Sequence, residues 1–110
     1  VAAAYELITE AKLLADTGVF AIVLEGVPDV VAEMVTAEVA VPTIGIGAGV
    51  GCDGQVLVFH DVLGLHDGHL PKFVRQYAQL ADVAVEALEQ FFADVQSGDF
   101  PGEAETYHMP

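Results

Sequence analysis

The hydrophobic pattern of the chain switches between helical and extended periods. Leu7, Ala11 and Leu14 recur at helical spacing within residues 3–17, with Glu6, Glu10 and Lys12 off that line, which predicts a helix. Gly18 stands where a left-handed C-terminal cap belongs. Residues 20–24, FAIVL, are continuously apolar, as suits a parallel strand buried on both faces. Pro28 can open the next helix, whose first position needs no N–H. Asp29 and Glu33 bring negative charge to its first turn, which favours the helix dipole. Val30, Val31, Met34 and Val35 supply an inward stripe to about residue 39. After Pro42, TIGIGAG reads as a second strand entering a glycine loop, and GQVLVFHD as a third at about 55–60. VLGLHDGHLP reads as a loop and 71–80 as helical. Residues 82–97 are strongly amphipathic, with Ala84, Ala87, Leu88, Phe91 and Val95 on one face and Gly98 at the end. The tail DFPGEAETYHMP has two prolines and no period, so it is expected to be a loop or an arm.

Strands alternating with helices predict an α/β protein with a parallel sheet. Three strands cannot close a barrel, which takes about eight, and an open three-stranded sheet leaves two raw edges. The pattern therefore fits part of a (β/α)8 barrel or of a doubly wound sheet. The length of 110 residues allows one small domain. The first residue is Val1, already within helical sequence, which reads as a segment of something longer. The apolar fraction of 54% and mean hydropathy of +0.51 are high for a small domain. They suit a piece of a larger core or of a tight oligomer. No run reaches the roughly 18 apolar residues of a membrane span, and the start lacks the basic and apolar regions of a signal peptide. A cytoplasmic protein is expected.

Seventeen acidic residues against three basic ones give a formal charge of −14. Nucleic acid needs Lys and Arg at its phosphates, and an anionic membrane attracts basic segments, so both are poor partners. A soluble, self-repelling surface is the simplest reading of the charge. Cys52 is the only cysteine, so no intrachain disulfide forms, and with no base near it in sequence it reads as a bystander thiol.

Glu25 closes the first strand, just before Gly26-Val-Pro. That C-terminal strand edge carries the chemistry in barrels and open α/β sheets. Between Leu24 and Val27 the carboxylate could be partly desolvated, which would make it a usable base. Alternatively it interacts with the start of the next helix. Gly45, Gly47 and Gly49 resemble a phosphate cradle. Yet no Gly-Lys-Ser/Thr follows, and G-x-G-x-G is not the dinucleotide fingerprint. The competing explanation is that glycine lets a ligand or neighbouring strand approach closely. His60 and Asp61 end the expected third strand, with His66 and His69 in the next loop. Their spacing is not that of a zinc site, so no metal ligand is assigned, and His60 is either a pocket residue or rim packing.

VLEGVP, VPTIGIGAGVGCDGQVLVFHDVLGL, HLPKFVRQYA and SGDFPGE together resemble the ketopantoate hydroxymethyltransferase family, in family order from about Lys12 onward. The resemblance is to the C-terminal part of that enzyme. It implies a (β/α)8 barrel, to which residues 1–98 would contribute the last three strands and the C-terminal helices, with 99–110 as a tail. It implies a homodecamer of two pentameric rings. It also implies transfer of a hydroxymethyl group from 5,10-methylenetetrahydrofolate to 3-methyl-2-oxobutanoate, giving 2-dehydropantoate on the way to pantothenate and coenzyme A. Mg²⁺ would hold the oxo acid and polarise its carbonyl, and a glutamate would take the C3 proton. That glutamate lies in the family's LE-x-VP block and maps onto Glu25. The family's metal-binding aspartates and its substrate-binding serine and lysine belong to earlier strands, so this segment is expected to have no turnover alone. Gly45, Gly47 and His60 remain weak substrate-binding candidates. Two other expectations stand beside this one: a phosphate- or nucleotide-binding module using the Gly45–Gly49 loop, and a non-catalytic piece that acts only through assembly.

Overall fold

The computed structural model describes all 110 residues. Helix α1 spans Ala2–Asp16 and strand β1 spans Ile22–Glu25. Helix α2 (Asp29–Glu38) and strand β2 (Thr43–Ile46) follow. Strand β3 is only Gly54–Gln55, and α3 is a single turn at Phe59–Val62. Helix α4 runs from Leu80 to Ser97, and a short 3-10 turn at Glu103–Glu105 lies in the tail. The strands form one parallel sheet in the order β1-β2-β3, with Ile22 opposite Thr43 and Glu25 opposite Ile46. The expected α/β alternation and parallel pairing are both present. No helix is long and apolar enough to cross a membrane.

Helices α1 and α2 cover one face of the sheet. Ile8 and Ala11 of α1, Ile22 and Leu24 of β1, and Ala32 and Val35 of α2 form the core, together with Ala48. Lys12 and Glu38 tie the two helices at the surface. The ammonium of Lys12 hydrogen-bonds to the Glu38 carboxylate and attracts it, holding that carboxyl below its ordinary pKa. Gly18 has φ +96° and reverses the chain after α1, as its position predicts.

The other face is bare along β1, although Ile46 of β2, in register with Glu25, is buried. Burial alternates along β1, and Val23 is 58% exposed between buried Ile22 and Leu24. This corrects the expectation of a strand covered on both sides. The apolar run is real, but the two helices that pack on the sheet, α1 and α2, lie on one face. Helix α2 differs too. Its buried residues are Ala32 and Val35, while Val30 and Met34 of the expected stripe are exposed. Pro28 sits one position earlier than expected, as the N-cap.

Two further expectations fail. The third strand stops at Gln55, so His60 lies on α3 and not at a strand end. The Val56 amide makes the last ladder bond, to the Gly45 carbonyl at 3.0 Å. Beyond it β2 turns away at Gly47, whose φ is +65°, and residues 57–58 lose their partner. Residues 71–79 are turns and not a helix. Within them the Val74 amide closes a turn on the Pro71 carbonyl at 3.0 Å, while the Tyr77 amide bonds across to the Val62 carbonyl at 2.8 Å and the Leu80 amide, opening α4, to that of Leu63 at 3.1 Å.

Helix α4 begins at Leu80, two residues before the expected start at 82, and ends as expected at Gly98, whose φ is +84°. None of its residues is buried, and Leu88 is 66% exposed. The Cα radius of gyration is 23.5 Å, against about 13 Å for a globule of this length. The helix and tail reach away from the sheet, and only 11 of 110 residues are buried. Such a surface needs other polypeptide to cover it.

Candidate active site

Glu25 is the last residue of β1 and pairs in register with Ile46. The next amide, of Gly26, still reaches β2 and donates to the Ile46 carbonyl at 2.9 Å. Gly26 then takes φ +63°, a left-handed turn that glycine adopts without a Cβ penalty. The strand therefore ends on a carboxylate because the ladder runs through Glu25 and the chain reverses immediately after it. Side chains alternate across a strand, so Glu25 shares the uncovered face with Val23, opposite Ile22 and Leu24.

Glu25 is exposed and belongs to neither ion pair of the chain. The desolvation expected from Leu24 and Val27 is not supplied by these residues, because Leu24 points to the other face. A role at the start of α2 is already filled by Asp29, whose Oδ1 accepts the Val30 amide at 2.9 Å. That leaves Glu25 free, at the C-terminal edge of the sheet.

The glycine loop has a packing explanation at each step. A Cβ on Gly45 would stand 2.9 Å from Cys52 Sγ, and one on Gly47 would stand 2.6 Å from the Phe73 ring. A Cβ on Gly49 would stand 2.5 Å from Asp29 Cβ, and one on Gly51 would overlap the Glu33 side chain. Two of these four neighbours are acidic. A phosphate in the loop would meet Asp29 and Glu33 rather than a lysine, so the phosphate- or nucleotide-binding alternative is not favoured.

The loop has a second side. Gly47–Val50 and Gln55–Leu57 floor a cleft of about 470 Å³ whose other wall is Phe73, Arg75 and Tyr77. Parallel strands lie about 4.8 Å apart, so the cleft begins one residue beyond Ile46, the strand neighbour of Glu25. Gly47 thus lies beside Glu25 at the same edge. Gly45 faces Cys52 within the covered layer, and His60 is exposed on α3, its ring edge-on to Phe59 and outside the cleft. No three His, Cys, Asp or Glu side chains come together in a way that could hold a metal ion.

The model of the ketopantoate hydroxymethyltransferase family matches residues 1–103. The chain belongs to that family. It is 54% identical over 101 residues to the 3-methyl-2-oxobutanoate hydroxymethyltransferase of Desulforapulum autotrophicum, covering 92% of this chain and 38% of that protein. The enzyme of the same name from Syntrophobacter fumaroxidans is 56% identical over 107 residues, covering 97% of this chain and 38% of that protein. That of Clostridium beijerinckii is 51% identical over 107 residues, covering 97% and 39%. The chain thus spans under two-fifths of the length of the curated relatives it matches.

Residue patterns alone did not single out Asp53, which fastens the loop to the sheet. Its carboxylate accepts the Thr43 amide at 2.8 Å and the Thr43 hydroxyl at 3.3 Å, while its own amide donates to Thr43 Oγ1 at 3.2 Å. The Thr36 and Thr43 hydroxyls are also bonded, 2.8 Å apart. Thr36 Oγ1 donates to the Ala32 carbonyl, so the Thr43 hydroxyl keeps Thr36 as an acceptor, and Asp53→Ala strands one donor of the fully buried Thr43, its amide. We expect a loss of about 2 kcal/mol, read as a lower urea midpoint in the full-length protein at unchanged slope.

Proposed function

We propose that this chain is the C-terminal part of an enzyme that moves a hydroxymethyl group from 5,10-methylenetetrahydrofolate to 3-methyl-2-oxobutanoate, with Glu25 as general base. The family match over residues 1–103 carries the reading. The placement of Glu25 supports it: a free carboxylate on the uncovered face, at the strand edge where barrels do chemistry. Glu25 takes the C3 proton of the oxo acid, and the resulting enolate carbon bonds to the donor's methylene carbon. Overall, both C–N bonds of that methylene break and water adds its hydroxyl to the carbon. The C3 proton and the remaining proton of water end on the two nitrogens, so tetrahydrofolate leaves and 2-dehydropantoate forms.

The reading includes a (β/α)8 barrel. Five more strands would pair with the open edges of β1 and β3 and enclose the face that carries Val23 and Glu25. Residues of that enclosure would desolvate Glu25. The Mg²⁺ that the resemblance implies finds no fitting ligand set in these residues, and its ligands are assigned to the remainder of the enzyme. The apolar face of α4 suits contacts within a homo-oligomer, a decamer by resemblance, and the setting is cytoplasmic.

The test is C3 proton exchange of 3-methyl-2-oxobutanoate in D₂O, followed by NMR. Full-length enzyme should exchange it, whereas the purified 110-residue chain should not exceed the buffer rate. Robust exchange by the short chain would overturn the assignment of the substrate-holding groups to other residues. No exchange by the full-length protein would overturn the activity.

A further inference from the structure

The chain has only three cationic side chains among its lysines and arginines. Lys12 is neutralised by Glu38. The other two, Lys72 and Arg75, fall in the short segment that walls the cleft beside Glu25. Neither is in an ion pair, although the chain carries seventeen acidic residues. Arg75 is held instead by an aromatic ring: its guanidinium carbon lies 5.9 Å from the Tyr77 centroid, and Nη1 donates to Tyr77 Oη at 3.3 Å. Phe73 packs flush on Gly47 at the other end of the wall. The floor is ordered by Gln55, whose amide donates to the Gly49 carbonyl at 2.8 Å. Asp29 and Glu33 touch the loop but do not line the cleft. The space of about 470 Å³ is of the size that encloses a small organic ligand.

These features combine flat apolar surface with one unneutralised guanidinium, at the strand edge that carries the proposed base Glu25. From them we infer that the cleft binds the one-carbon donor as a flat-ringed anion, its ring system against Phe73 and Tyr77 and a tail carboxylate on Arg75. The inference rests on the proposed reaction and gives its second substrate a place. The floor of the cleft starts at Gly47, the residue after the strand partner of Glu25, so a donor bound there lies toward the edge at which the enolate forms. Guanidinium forks match carboxylates in plane, and an aromatic face takes a flat heterocycle with little ordering cost. Arg75 is a binding and positioning residue here, outside the proton transfer.

The experiment is calorimetric titration of the full-length enzyme with two probes, tetrahydrofolate and 6-methyltetrahydropterin, which lacks the anionic tail. Arg75→Ala should weaken tetrahydrofolate binding about tenfold, the loss of one charged hydrogen bond, and change pterin binding less than twofold. Arg75→Lys should restore part of the tetrahydrofolate affinity. Tyr77→Leu should weaken both probes. In turnover, the Arg75→Ala effect should fall on the KM for the donor and not on that for the oxo acid. Equal loss of both probes in Arg75→Ala, or no loss of tetrahydrofolate binding, overturns the assignment. So does tetrahydrofolate binding indifferent to Tyr77→Leu, which would mean that other polypeptide fills the cleft. Exchange of the oxo acid's C3 proton needs no donor. Exchange together with tetrahydrofolate binding that neither Arg75→Ala nor Tyr77→Leu weakens therefore sinks this inference alone, whereas absence of exchange sinks the reaction itself.

Discussion

Glu25→Gln in the full-length enzyme is expected to slow C3 proton exchange of 3-methyl-2-oxobutanoate by about 10²–10⁴-fold, the usual contribution of a positioned general base. The amide keeps the shape of the side chain but cannot accept the proton. The fold should not change. Glu25 is exposed, belongs to neither ion pair and does not cap α2, and such surface substitutions usually stay within about 0.5 kcal/mol. Melting temperature and circular dichroism should therefore match the parent. Exchange at the parental rate would remove Glu25 from the role of base. Loss of exchange together with a large fall in melting temperature would make it a structural residue instead. The backbone argument for its position survives either outcome, because the ladder through Glu25 and the turn at Gly26 depend on main-chain bonds.

Features set by local chemistry were legible in the sequence. Helix α1, helix α4, the stops at Gly18 and Gly98 and the first two strands follow from period, cap and punctuation. What depended on neighbours was not. FAIVL reads as a doubly buried strand, yet α1 and α2 pack on one face of it and Val23 is left open on the other. Residues 57–60 have the composition of a strand but no strand to pair with once Gly47 turns β2 away. Residues 71–79 read as helical, yet the amides of Tyr77, Leu80 and Ala81 donate to carbonyls of Val62, Leu63 and Gly64, on α3 and just beyond it, and not to a helix of their own. The candidate site divides in the same way. Glu25 was accessible from the strand-end rule and the family blocks. Gly47 was visible as a glycine, but its reason, the Phe73 ring pressed against it, lies 26 positions away in the chain. Arg75 and Tyr77 had one available sign: in a chain with three Lys and Arg, two stand within four residues of each other.

The cleft wall hangs on one glycine outside the Gly45–Gly49 loop. Gly64 is buried with φ +69°, directly after α3. A Cβ there would run into the carbonyl oxygen of Ala78 and lie 2.9 Å from Gln79 Cα. These are backbone atoms, which cannot swing aside as a side chain can. They belong to the strap that follows Tyr77, where the Ala81 amide donates to the Gly64 carbonyl at 3.0 Å and the Leu80 amide to that of Leu63 at 3.1 Å. Gly64→Ala therefore adds a left-handed penalty of about 1–2 kcal/mol to a backbone overlap that can relax only if the strap moves. We expect a total loss of at least about 3 kcal/mol, seen as a lower unfolding midpoint of the full-length enzyme. The displaced strap should also carry Arg75 and Tyr77 away from the glycine edge, so tetrahydrofolate affinity should fall further than in Arg75→Ala. Oxo-acid exchange at Glu25 should suffer less than donor binding, because β1 and β2 make none of these contacts. A Gly64→Ala enzyme with parental stability and parental donor affinity would show that the strap is held by other parts of the enzyme and that the α3 contacts do not set the wall.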